Sequence, residues 1–246
     1  MLNRIIFSLF TVLVLCGVAR LEAAGFDKDT IGTGAEKLLI TFIGHGTLMF
    51  EYGGLVVHAD PTLRESDYAD LPKADLILIT HEHGDHLDPE AVAKLRKPET
   101  EIVANGSSAG RLEGAVVMKN GESATVMGLK IEAVPAYNII SKRDNGQPYH
   151  PKGNGNGYVV TFGDTRVYIA GDTEYVPEMN ELGDIDIAFL PLNLPYTMTV
   201  EMAAEAARAV SPKVFYPYHY GSSEVGKLQS LLEGAEGIEL RIREMQ

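Results

Sequence analysis

The sequence predicts an α/β (α+β) protein in which two β-sheets pack face to face and helices lie outside them. Short β-rich runs separated by Gly, Asp and Asn turns begin at Lys37 and continue almost to the C-terminal end, too many for one small open sheet. Only a few stretches between them carry helical caps and amphipathic spacing. The 246 residues, 45% of them hydrophobic and 22% charged, are enough for one large domain with a sizeable core. With no fixed-period repeat, low-complexity tract or linker, residues 37–246 read as one domain.

In chain order, strands are expected at 38–43, 48–52, 55–59 and 75–80, all apolar runs bounded by turn formers. A helix follows at 88–95, where Asp88 can cap and Pro89 takes the first helical position. Further strands are expected at 101–104, 115–118, 125–127, 129–134, 158–162, 166–170 and 185–190. A second helix at 199–210 starts from the capping Thr199 and runs through an Ala/Glu-rich stretch. Strands at 214–216 and 238–242 flank a shorter helix at 223–232.

Lys plus Arg total 21 against 34 Asp plus Glu, a net charge of −13. A phosphate-neutralising surface needs the opposite balance, so nucleic acid is disfavoured as a partner. The single cysteine, Cys16, can make neither an internal disulfide nor a thiolate cluster, so any metal must be held by His and carboxylate. Residues 1–4 carry positive charge, and 5–19 are uncharged and end in small residues, the pattern of a secretory signal peptide. At 1.5 Å per residue that uncharged run reaches about 22 Å, short of a roughly 30 Å hydrocarbon core. Residues 1–24 are therefore expected to direct export to the periplasm or exterior, with cleavage after Ala19 or Ala24 and no stable membrane span in the mature chain. The competing reading is a lipid anchor at Cys16. Leu13-Val14-Leu15-Cys16-Gly17 partly matches a bacterial lipobox, but Leu15 stands where a small residue belongs.

The chemistry concentrates in Thr80-His81-Glu82-His83-Gly84-Asp85-His86. Residues two apart at a strand end face the same side, so His81 and His83 can present imidazoles to one point. Gly84 allows a sharp turn, after which Asp85 and His86 can be aimed at a second point nearby. Four ligands in six residues across a strand–helix junction suit a pair of metals, because borderline cations such as zinc take imidazole nitrogen and carboxylate oxygen. The bland reading, a polar loop with chance histidines, has to place three of the seven histidines of the chain in this one stretch.

This arrangement resembles the metallo-β-lactamase superfamily, marked by H-x-H-x-D-H at a strand end and followed in order by a His, a bridging Asp and a last His. His150 in Tyr149-His150-Pro151, Asp172 in Gly171-Asp172-Thr173 and His219 in Tyr218-His219-Tyr220 meet that order. Gly44-His45-Gly46-Thr47 makes the chain similar to the branch containing ascorbate-phosphate lactonase and N-acylphosphatidylethanolamine-hydrolysing phospholipase D. The resemblance implies a four-layer αββα sandwich with two divalent cations at one edge, zinc with manganese or iron as alternatives. It implies that His81, His83 and His150 hold the first metal and that Asp85, His86 and His219 hold the second. Asp172 would bridge the two, and Asp85 and Asp172 would be the carboxylates of the catalytic step. His45 and Asp60 would sit behind the ligands and fix their orientation, with direct ligation the alternative. His150 lies in a long loop, 138–156, rather than on a strand, and an ordinary surface histidine is its alternative.

Lys142, Arg143 and Lys152 give that loop a local cationic patch suited to a substrate phosphate or carboxylate, against a solvated loop as the bland reading. Tyr137, Asn138, Lys152, Asn193, Tyr196 and Tyr220 are the candidate pocket residues. His58 reads as a packing residue, and Glu82 as a surface or supporting group. The leading expectation is a dinuclear metal hydrolase that uses a metal-bound hydroxide on an ester, lactone, phosphodiester or amide bond of a small, conceivably anionic molecule. Two others stand beside it: an iron-dependent redox enzyme and a non-catalytic metal-binding module on the same fold. Oligomeric state is left open.

Overall fold

The computed structural model describes residues 25–245; the expected signal segment and Cys16 lie outside the described residues. Strands β1 (Asp27–Thr33), β2 (Glu36–Gly44), β3 (Thr47–Tyr52), β4 (Leu55–Ala59), β5 (Leu76–Ile79), β6 (Glu101–Ala104) and β7 (Val116–Val117) lie side by side in that order in one sheet. Strands β8 (Ser123–Val126), β9 (Leu129–Ala136), β10 (Gly155–Phe162), β11 (Thr165–Ile169), β12 (Ile187–Pro191), β13 (Val214–Tyr218) and β14 (Glu239–Leu240) repeat the order in a second sheet. In each sheet the first four strands pair antiparallel and the last three add parallel.

Parallel neighbours require crossovers, and these carry the helices. They are α1 (Pro89–Leu95), α2 (Gly106–Ala109), α3 (Val200–Val210) and α4 (Leu228–Leu231). The alternation of β5 shows how the layers form. Leu76 and Leu78 enter the core between the sheets with Phe42, Phe50, Phe162 and Phe189, whereas Ile77 and Ile79 meet Ala91, Val92 and Leu95 of α1 on the outer face. On the far side α3 presents Ala203, Ala204, Ala206, Ala207 and Val210, small side chains that let it lie close to β12. The result is the four-layer αββα sandwich. Asp88 caps α1 by accepting the amides of Glu90 and Ala91, and Thr199 caps α3 by accepting that of Met202.

Several elements depart from the expectation, among them the single turn α2, which was not expected at all. β1 pairs with β2 along seven residues, yet its sequence is polar and only Thr33 is buried, so an edge strand gave no apolar signal. The helix expected at 223–232 is a 3₁₀ turn, Val225–Lys227, followed by the single α turn of α4, with Gly226 weakening its start. The strand expected at 238–242 shortens to β14. Among the described residues, no helix is long and apolar enough to cross a membrane.

Candidate metal centre

The expected ligands gather where both sheets end at one edge. His45 follows β2, Asp60 follows β4, His81 and His83 follow β5, Asp172 follows β11 and His219 follows β13. His45, Asp60 and His219 have φ of 48°, 47° and 49°, the left-handed region that costs a non-glycine residue about 1 kcal/mol or more. Surrounding bonds hold these turns: the His219 amide donates to the His45 carbonyl at 2.8 Å and the Asp60 amide to the Leu78 carbonyl at 2.9 Å. Gly171 brings Asp172 inward where a Cβ would stand 2.8 Å from the Asn156 carbonyl oxygen on the neighbouring strand and 3.1 Å from Thr80 Cβ at the first sheet's edge, so this crowded position requires glycine.

Four donor atoms form a first group. His83 Nδ1 lies 3.1 Å from His81 Nε2 and 3.1 Å from His150 Nε2, and Asp172 Oδ2 lies 3.7 and 3.3 Å from those same Nε2 atoms. Ligands about 2.0–2.1 Å from a tetrahedral cation are separated by about 3.3 Å, so this spacing fits one. Asp172 turns its other oxygen to a second group, Oδ1 lying 3.2 Å from His86 Nε2 and 3.4 Å from His219 Nε2. Asp85 Oδ2 completes that group at 3.7 Å from His219 Nε2 and 3.3 Å from His45 Nε2. His86 Nε2, His219 Nε2 and Asp172 Oδ1 are buried without a hydrogen-bond partner although they face one point, which is the environment a cation satisfies.

The back atoms of the imidazoles are fixed. Asn138 Oδ1 lies 2.8 Å from both His150 Nδ1 and its backbone amide, which puts a proton on Nδ1 and leaves Nε2 free as a ligand. Asp60 serves both groups. Its Oδ2 is 2.8 Å from His86 Nδ1 and accepts the Thr80 hydroxyl at 2.6 Å, while Thr80 Oγ1 lies 3.0 Å from His81 Nδ1. Burial pushes the His81 and His83 imidazoles down and keeps them neutral. Burial also opposes charge on His86, but Asp172 and Asp60 outweigh it and hold that imidazole well above its ordinary value. Burial raises the carboxyls of Asp172 and Asp85, yet the charges of His219 and His86 hold Asp172 well below the usual range, and the neighbouring imidazoles of His219 and His45 do the same for Asp85. An ionised carboxylate as buried as Asp172, with half-buried Asp85 beside it, demands positive charge.

In comparison with known proteins, the β-lactamase superfamily domain matches residues 39–219. The chain belongs to that superfamily. It is a metal-dependent hydrolase of the metallo-β-lactamase fold. A UPF0173 metal-dependent hydrolase of Methanopyrus kandleri is 33% identical over 195 residues, covering 74% of this chain and 84% of the relative. A crystal structure of a protein assigned to the metal-dependent hydrolases in Parabacteroides distasonis is 53% identical, with a TM-score of 0.86 over 90% of this chain and all of that one. The metallo hydrolase Igni18 of Ignicoccus hospitalis is 25% identical, with a TM-score of 0.69 over 84% of this chain and 95% of its own.

A pocket of about 280 Å³ opens onto the centre of this hydrolase, with His83, Asp85, His150 and Asp172 on the metal side and Arg143, Tyr149 and Tyr196 on the outer side. Of the six residues expected in the pocket only Tyr196 lines it. Asn138 stands behind His150 instead. Lys152 is drawn away by Glu178 at 2.7 Å, and the Tyr137 hydroxyl also donates to Glu178. The backbone of Asn193 bonds to Thr197, and the Tyr220 hydroxyl holds Arg243 and Met245 at the C-terminal segment. His45 takes a different place from Asp60: its Nε2 sits among the ligand atoms rather than behind them. Glu82 accepts bonds from Ser107 and Asn154 and braces the ligand turn. Arg143 and Tyr149 lie in the long loop that already carried a functional signal, but no local pattern shows which of its cations faces inward.

Proposed function

We propose that this hydrolase works with two divalent cations, zinc suiting the donor set, and cleaves an ester, lactone, phosphodiester or amide bond in a small molecule. His81, His83 and His150 would hold the first cation, and Asp85, His86 and His219 the second, with Asp172 between them and His45 as a further direct donor to the second. The observation that carries this reading is Asp172, whose two oxygens each face a separate imidazole cluster at 3.2–3.7 Å. Two cations in such a site supply an acidified water and positive charge for the oxyanion that develops as the bond breaks.

The chain's own residues prepare that chemistry. Asn138 orients the His150 imidazole, and Asp60 orients that of His86 directly and that of His81 through Thr80, before anything binds, so donor orientation costs little during the reaction. Asp85 is partly exposed in the pocket wall and ionised, placed to accept a hydrogen bond from the attacking water. Residues 1–24 would deliver the enzyme outside the cytoplasm.

Elemental mass spectrometry of protein purified without chelator or added metal tests the reading. About two divalent ions per chain are expected, falling on Asp172→Asn substitution, with hydrolysis in an ester, lactone, phosphodiester and lactam panel that stops on chelation and returns with zinc. Fewer than two ions per chain after zinc is offered would overturn it, and iron in their place would favour redox chemistry.

A further inference from the structure

One wall of the pocket is not needed to hold metal. We infer that it selects small amphiphilic acids: substrates that carry, besides the scissile bond, an anionic oxyacid group for Arg143 and an aryl or alkyl group for Tyr149 and Tyr196. This rests on the hydrolase reading and adds the substrate class.

The charge argument comes from the pairing of cations. Of the three cations in this loop, Lys152 is paired with Glu178, whereas Lys142 and Arg143 have no carboxylate partner among the described residues, and of these two only Arg143 lines the pocket. The unpaired guanidinium is also held in place. The Arg143 amide donates to the Gln147 carbonyl at 2.8 Å and Gly146 returns a bond to Arg143 at 2.8 Å, which closes a tight turn. Its guanidinium carbon lies 5.0 Å from the centre of the Tyr149 ring, and Nη2 donates to the Tyr149 carbonyl at 3.3 Å. A planar guanidinium fixed against an aromatic face keeps a fork of donors for a carboxylate or phosphate. In a protein of net charge −13, an anion entering the pocket needs such a local cation.

The apolar argument comes from exposure. Tyr149 meets Tyr196 edge to face at 5.1 Å, and Asn138 Nδ2 donates to the Tyr196 carbonyl at 2.8 Å, joining the loop that begins at 138 to the segment around Tyr196. Of the eight exposed large hydrophobic residues among those described, four lie on these two joined segments: Ile139 at 47%, Ile140 at 72%, Leu194 at 55% and Tyr196 at 46%. Glu174 accepts the amides of Ile139, Ile140 and Ser141 at 2.7 Å each, so the apolar lip is anchored. Apolar surface concentrated beside a pocket marks a binding region.

Isothermal titration calorimetry on the zinc-loaded full chain tests this with benzylsuccinate, succinate and 3-phenylpropionate. One carboxylate of each can reach the metals, so the comparisons isolate the second acid and the ring. Benzylsuccinate should bind at least tenfold more tightly than either of the others. Arg143→Ala should remove that margin over 3-phenylpropionate, weakening benzylsuccinate and succinate about tenfold or more, and Lys142→Ala should change each Kd less than twofold. Replacing the distal carboxylate by a phosphonate distinguishes the acids: a tighter Kd assigns a phosphate, a weaker one a carboxylate. Equal benzylsuccinate affinity in the wild type and Arg143→Ala, equal losses in Arg143→Ala and Lys142→Ala, or no gain from the benzyl group would overturn the inference. Those outcomes leave the metal count and the hydrolysis untouched, whereas a count below two ions overturns the hydrolytic reading before any acid is added.

Discussion

His58 and Gly46 show opposite ways in which one residue sets a property of this protein. His58 is fully buried in β4, its Nε2 is 3.1 Å from the Pro72 carbonyl oxygen and its Nδ1 has no partner. Burial pushes its pKa from 6.5 down to about 4. The unfolded chain therefore binds the proton first, and stability is full above pH 6.5 and is lost as pH falls toward 4, by on the order of 3 kcal/mol. In urea titrations of chelator-treated protein between these pH values, the wild type should lose stability more steeply than His58→Gln; parallel pH profiles would contradict this. At Gly46 a Cβ would stand 2.8 Å from His86 Cε1, a buried ring already held by Asp60, so the ring cannot yield cheaply. Gly46→Ala should keep the fold but lower metal content from about two ions per chain toward one, measured by elemental mass spectrometry. The sequence shows that His58 belongs to a strand pattern and that Gly46 adjoins a candidate histidine. It does not show that Gly46 touches His86, since 40 residues separate them.

At the scale of elements, legibility followed burial. The core strands β2 to β5 and β9 to β13 announce themselves as apolar runs, because each residue facing the core must be hydrophobic. β1 does not, since an edge strand with exposed side chains is held by backbone pairing and by long-range contacts such as Asp29, which joins Arg243 at 2.7 Å. The two longer helices, α1 and α3, were legible through their caps. Thr199 Oγ1 accepts the Met202 amide at 3.0 Å, so Thr199→Ala should destabilise the protein by about 1 kcal/mol, read as a lowered urea midpoint with an unchanged m-value. Serine at the same position should restore most of that loss.

Across the whole molecule, the candidate metal centre lies on the seam between the two sheets. His81, His83, Asp85 and His86 come from the first sheet's edge, and His150, Asp172 and His219 from the second. Cations bound there would join the halves, and ions that bind only the folded state stabilise it by about 4 kcal/mol per site at a free concentration a thousand times Kd. Chelation should therefore lower the Tm by several degrees or more, and zinc should restore it in a concentration-dependent way; a Tm indifferent to chelation would mean that the seam does not need metal. The sequence by itself predicted the two-sheet class and the two-point split of His81, His83, Asp85 and His86, because strand periodicity and turn chemistry act over a few residues, whereas the order of His150, Asp172 and His219 was legible only through the resemblance to the superfamily. Only the tertiary structure decided that His45 stands among the ligand atoms, that Asp60 orients both clusters, that Asn138 sits behind His150, and that Arg143 rather than Lys152 faces the pocket. Those assignments depend on which strand ends and loop residues the fold brings side by side, those after β2, β4 and β5 at the first sheet and those within the 138–156 loop at the second, and no local pattern encodes which side chains are neighbours there.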